Sequence, residues 1–186
     1  MEVAMSERPQ DPGSGVVNDV VTFILDFAPD RRRWREVDKA LVEIGPDLAK
    51  TCAGLLQHWH ASRHCAHGQY SQLWFRFKSS PSSIPSLVAR ARAVIQAASG
   101  KYGFCLGNEI IEPEPKAFGE GDPRLGHDVV KMIGGRQHLP QLWREIQEAT
   151  ERAIAHLAAA PHGVLAGNGR WLPWSVHIYG NCLGRE

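Results

Sequence analysis

Nine residues, Tyr70-Ser-Gln-Leu-Trp-Phe-Arg-Phe-Lys78, restrict this chain more than any others. Strand side chains alternate between two faces; here Ser71, Leu73, Phe75 and Phe77 share one, and Tyr70, Gln72, Trp74, Arg76 and Lys78 share the other. The first face belongs against a core. The second is polar yet aromatic, as a strand lining a pocket would be. Ser79-Ser-Pro-Ser-Ser83 then turns into a helix, with Ser83 as its cap and Pro85 in its first turn. Its apolar residues Ile84, Leu87, Val88, Ala91, Val94, Ile95 and Ala98 form a single stripe that Gly100 closes. A two-faced strand followed by a one-sided helix predicts a sheet covered by helices on one side.

The rest of the chain repeats that alternation. Val16–Phe27 is rich in β-branched and aromatic residues and reads as a first strand, with Val17, Val21, Phe23, Leu25 and Phe27 on one face. Trp34, Val37, Leu41 and Ile44 recur at helical spacing up to Gly45-Pro46, where the helix should stop, and Asp47–Trp59 supplies a second helical piece. His58 to Gln69 carries His58, His60, His64, Cys65 and His67. Its spacing fits no closed zinc motif, and it reads as a mobile, partly exposed loop beside the site. Phe104–Glu114 is a further strand, Asp122–Ile133 a short helix stopped by Gly134-Gly135, and Leu139–Ala159 a long amphipathic helix. Trp171–Tyr179 is a last strand, with Ser175, His177 and Tyr179 on one face.

The resulting order, β-α-(loop)-β-α-β-α-α-β, predicts an α+β fold, a ferredoxin-like α/β sandwich on an antiparallel sheet. The uncovered sheet face must then be hidden by a partner or used as a pocket, so a homodimer whose sheets pair into a barrel is expected. One domain, 16–186, follows a disordered leader, 1–15, which lacks the apolar segment of a signal peptide.

Composition narrows the function class. A net charge of +1 offers no electrostatic case for nucleic acid or an anionic membrane surface. No apolar run approaches the ~20 residues that a membrane span needs. Four scattered cysteines without a C-x-x-C pair read as reduced thiols in a cytoplasm. Phosphate-cradling glycine loops, nucleophile elbows and H-E-x-x-H are all absent, and no organic cofactor is called for.

Chemistry concentrates after Phe104. The run Asn108-Glu-Ile-Ile-Glu-Pro-Glu-Pro-Lys-Ala-Phe-Gly-Glu-Gly-Asp122 places Glu109, Glu112 and Glu114 at the tip of a strand. Pro113 and Pro115 hold the residues before them extended, so Glu112 and Glu114 are expected on stiff backbone, well placed for acid–base work.

Three segments resemble the C-terminal domain of lantibiotic dehydratases, also called the thiopeptide-type bacteriocin biosynthesis domain. Gln72-Leu-Trp-Phe-Arg-Phe77 is similar to that family's His-Leu-Arg-Leu-Arg-Phe, keeping Arg76 and replacing the first arginine by Trp74. Ile111-Glu-Pro-Glu-Pro-Lys-Ala-Phe-Gly-Glu120 is similar to Tyr-x-Pro-Glu-x-Glu-Arg-Tyr-Gly-Gly. It keeps Pro113, Glu114 and Gly119 and has Ala117 in place of the arginine. Val176-His-Ile-Tyr-Gly-Asn-Cys-Leu-Gly184 is similar to the terminal Leu-His-Met-His-x-Asn-Arg-Leu-Leu-Gly, keeping His177 and Asn181, one residue shorter.

The resemblance implies tailoring of ribosomally made, modified peptides: glutamate elimination, pyridine-forming cycloaddition, or, in small members like that of the nosiheptide pathway, removal of a C-terminal dehydroalanine by enamide dealkylation. The arginine lost at Ala117 and the short chain favour the last. On that reading Glu114 is the acid–base group and Glu112 its rival, while Arg76 and His177 orient the substrate. Trp74, Lys78, Phe118, Tyr179 and Asn181 join Glu112 in contacting a modified precursor peptide or thiopeptide macrocycle. A non-catalytic, peptide-binding scaffold is the alternative from another class.

Overall fold

The computed structural model describes residues 17–27, 34–66, 69–121 and 128–159. Four strands, β1 (Val20–Phe27), β2 (His58–Ala66), β3 (Gln69–Lys78) and β4 (Phe104–Glu112), form one sheet in the order β2-β3-β1-β4. Every neighbouring pair is antiparallel. Helices α1 (Trp34–Cys52) and α2 (Ile84–Tyr102) connect β1 to β2 and β3 to β4. This is the βαββαβ order of a ferredoxin-like α+β sandwich, the fold expected from the alternating patterns, although its second strand falls where a loop was expected. Among the described residues, α-helices α3 (Glu114–Ala117), α4 (Val129–Met132) and α5 (Leu139–Ala159) follow. None of the described helices is long and apolar enough to cross a membrane.

The main core lies between the sheet and α1 and α2. Val21, Phe23, Leu25 and Phe27 of β1 and Leu73, Phe75 and Phe77 of β3 meet Val37, Leu41, Ile44 and Leu48 of α1 and Leu87, Ala91 and Ile95 of α2. A second apolar cluster sits on the opposite sheet face. It joins Val20 to Ala117, Phe118, Val129 and Val130, and to Leu139, Leu142, Trp143 and Ile146 of α5. Helix α5 reaches both clusters, because Ile154 further along it packs into the main core.

Five expectations need correction. The first strand starts at Val20, so Val17 precedes it and is 53% exposed. Helix α1 runs through Pro46, which costs a helix about 3 kcal/mol, because Ile44, Leu48 and Cys52 bury on both sides of it. Gly45, read as a stop, instead lets α5 approach: a Cβ there would lie 3.0 Å from Ile154 Cδ1. Helix α2 continues past Gly100 and is closed by Gly103 in the left-handed region (φ 65°). Ser83 holds the cap position of α2 without capping it, since Ser80 Oγ donates to its hydroxyl at 2.8 Å.

The fifth correction bears on function. His58–Ala66 is no loop but strand β2, paired along its length with β3. Trp59 and Ala61 face the main core, while Arg63 makes a buried ion pair with Asp38 of α1 at 2.8 Å. The outer edge of β2 is covered by α5: the Trp59 N–H donates to Gln147 Oε1 (3.3 Å) and the Ala61 N–H to Thr150 Oγ1 (3.4 Å). An edge strand capped in this way presents no free ladder there.

Candidate active site

Register decides which side chains meet on the sheet face opposite α1 and α2. Directly paired residues of antiparallel strands point to the same side. Lys78 is opposite Val20 on one flank and His58 on the other, and Glu112 is the partner of Val20 on β4. The next row holds Ile110, Thr22, Arg76 and His60. Beyond it come Ile24, Trp74 and Ser62, then Asp26, Gln72 and His64. The aromatic and charged face of β3 is thus flanked by the histidines of β2.

Glu114 lies at the end of the first row. Pro113 is extended (φ −65°, ψ 145°) as expected, but Glu114 itself opens the single turn of α3 and is not on extended backbone. Its N–H, free of any partner within the helix, donates to Asp19 Oδ1 at 2.9 Å. The side chain is 15% exposed. Lys78 Nζ donates to Glu114 Oε1, which also accepts from Trp143 Nε1–H at 2.6 Å. Lys78 also lies 3.9 Å from Asp19 Oδ2. One carboxylate oxygen is therefore anchored by two donors from different elements, β3 and α5. Glu112, the rival, ends β4 opposite Val20, in the same row as Lys78.

Arg76 is buried beside this group. Its Nε–H donates to Thr22 Oγ1 at 3.2 Å, and its guanidinium carbon stands 5.5 Å from the Phe118 ring and 6.0 Å from the Trp74 ring. Stacking of a guanidinium on aromatic faces holds it in one plane. Trp74 is half-buried, stacks on His64 at 3.8 Å, and donates its Nε1–H to Gln72 Oε1 at 3.0 Å. Phe118, expected to line the pocket, is buried in the second cluster, with its ring edge-on to Trp143 at 5.1 Å. Ala117, which stands where the family motif has arginine, is 4% exposed within the same apolar cluster, so a guanidinium there would lose its solvent.

The structure brings together Glu114, Lys78, Arg76, Trp74, Phe118 and Glu112 on one face or its rim. His177, Tyr179 and Asn181 lie outside the described residues, as does the strand expected at Trp171–Tyr179. Among the described residues no group of three or more His, Cys, Asp or Glu gathers to hold a metal ion.

Three participants escaped the reading of the sequence: Asp19, Trp143 and His60. Trp143 was visible only as one apolar position in the α5 stripe. His60 carried a signal, since His58, His60, Ser62 and His64 recur at intervals of two, the period of a strand. Its ring stacks on Phe118 at 6.3 Å and tilts against Trp143 at 5.4 Å. Burial, and next the Arg76 charge, hold its pKa well below the ordinary imidazole value of 6.5.

Among solved structures the chain is similar to TsrL, at a TM-score of 0.53 and 19% identity over 81% of this chain and 37% of that one. The fold is shared with TsrL. A second likeness is to the tRNA-dependent lantibiotic dehydratase MibB from Microbispora sp. 107891, at a TM-score of 0.47 and 16% identity over 82% of this chain. The chain spans little more than a third of TsrL and 13% of MibB. At 19% identity the likeness to TsrL concerns the fold alone. No family model matches the sequence, and no curated protein matches it.

Proposed function

We propose that this chain is a tailoring enzyme for ribosomally made, modified peptides of the thiopeptide class, removing a C-terminal dehydroalanine by enamide dealkylation. The observation that carries the reading is the setting of Glu114. The one acidic residue kept from the family motif is held by Lys78 and Trp143 at the rim of an aromatic, cationic sheet face. The three segments that resemble the thiopeptide-type domain supply the substrate class.

In the reaction, R–CO–NH–C(=CH2)–COOH and water give R–CO–NH2 and pyruvic acid. The Glu114 carboxyl gives its proton to the terminal CH2, and the nitrogen lone pair moves in to form an N-acyliminium ion. Water adds at the former alkene carbon and loses a proton to the Glu114 carboxylate, which Lys78 and Trp143 hold in place. The carbinolamide then breaks its C–N bond, the nitrogen gains a proton and leaves as the primary amide, and the hydroxyl-bearing carbon becomes the ketone of pyruvate. One carboxyl group serves as acid and then base. Arg76, with His177, orients the substrate carboxylate or carbonyl. Trp74 and Tyr179 stack on azole rings. Glu112 and Asn181 complete the peptide contacts, and a homodimer belongs to the same reading.

The test is mass spectrometry of a thiopeptide ending in dehydroalanine after incubation with the pure protein. Conversion to the C-terminal amide with pyruvate released is expected, and Glu114→Gln should lower kcat about 100-fold or more while binding persists. Binding without any mass change in the wild-type protein would favour a scaffold or another reaction of the same family.

A further inference from the structure

Among the described residues, His60 is the buried titratable group on the site face that this chemistry leaves without a task. It lies directly across from Arg76, whose other cross-strand neighbour is Thr22, so the three form one row over β2, β3 and β1. His60 is 4% exposed, and among the described residues its Nε2 is buried without a hydrogen-bond partner. Burial keeps the ring neutral, so one of its two nitrogens is an acceptor. A neutral imidazole that donates through Nδ1 presents Nε2 as an acceptor. Folded proteins seldom leave such an atom unmatched unless a ligand or water meets it.

Side by side stand the Arg76 guanidinium, a cation whose N–H groups donate, and the His60 ring with its buried Nε2. A group complementary to both carries an N–H next to a carboxylate. A terminal dehydroalanine, –CO–NH–C(=CH2)–COO⁻, bears the two on one carbon. We infer that His60 contacts the substrate: its Nε2 accepts the N–H of the terminal dehydroalanine while Arg76 takes the carboxylate. This rests on the dealkylation reading and adds the residue that recognises the scissile nitrogen. A hydrogen-bonded N–H pushes the nitrogen lone pair toward the CH2 carbon, the direction in which that carbon gains its proton. Phe118 covers both groups, 6.3 Å from the His60 ring and 5.5 Å from the Arg76 guanidinium. The terminus reaches them only when the Phe118 ring, packed in the second cluster, moves aside.

Two synthetic peptides test this, each ending in a thiazole-linked dehydroalanine acid, one with the terminal N–H and one methylated at that nitrogen. Wild-type protein, His60→Ala and His60→Gln are compared, the glutamine carbonyl standing near the place of Nε2. His60→Ala should lower kcat/KM about tenfold on the N–H peptide and leave the N-methyl peptide within about twofold, with His60→Gln recovering most of the loss. Equal losses on both peptides, or a wild-type protein indifferent to the methyl group, would overturn the contact and leave His60 a packing residue. Should the wild-type protein turn over neither peptide, Kd from tryptophan fluorescence separates the two ideas. A preference for the N–H peptide that His60→Ala abolishes keeps the contact and removes dealkylation. Absence of binding or of preference removes the contact itself.

Discussion

Glu114 and His60 face each other through one side chain, Trp143, which donates to the first and packs against the second. The two groups are set up differently. Glu114 is partly exposed and anchored by donors, whereas His60 is enclosed by rings and stays neutral. That difference has a thermodynamic signature. The folded pKa of His60 is depressed below the unfolded value of about 6.5, so as pH falls the unfolded chain takes up the proton first. Stability from the neutral ring is thus complete above about pH 6.5 and lost as pH falls below it. Between pH 6.5 and 5.5 the wild-type protein should lose about 1 kcal/mol more than His60→Gln, read from urea denaturation at each pH. Equal losses would mean that His60 charges without unfolding.

At the scale of elements, α5 does more than fill a groove. Thr150 Oγ1 accepts from the Ala61 N–H at 3.4 Å and donates to the Ile146 carbonyl at 2.8 Å, tying the helix to the β2 edge by a side chain that is itself fully buried. Thr150→Val keeps the shape and removes the acceptor, leaving a buried N–H unmatched. A loss of about 1–3 kcal/mol is expected, with faster hydrogen exchange at Ala61 as the local readout. This tie also explains the misreading of β2. Its core-facing positions include charged Arg63, neutralised by Asp38, and its other positions are mostly histidine, so hydrophobic contrast nearly vanishes. Strand identity there comes from its partners, β3 and α5. In β3, by contrast, Leu73, Phe75 and Phe77 against Trp74, Arg76 and Lys78 gave the period directly. Helix α5 was legible along its length, because an amphipathic stripe of 21 residues leaves few alternatives.

At the scale of the molecule, the two apolar clusters of the described residues occupy opposite faces of one sheet and share β1 and α5. Neither can lose its packing without freeing those elements from the other. The domain should therefore unfold in one step, with tryptophan fluorescence, to which Trp59 in one cluster and Trp143 in the other both contribute, and far-UV circular dichroism giving coincident urea transitions. Separate midpoints would show the α3–α5 cluster melting alone. The sequence by itself determined the α+β class, the antiparallel sheet with helices on one face, and the choice of Glu114, Arg76, Trp74 and Lys78 as candidate site residues. Local periodicity and short motifs carry that information, since they depend on residues within one or two turns of each other. Only the tertiary structure decided that Glu114 opens a helical turn, that Trp143 and Lys78 anchor it, and that His60 lies in the row of Arg76. Those facts rest on hydrogen bonds and register between residues 29 to 95 positions apart or on neighbouring strands, where no local pattern records which partner is met.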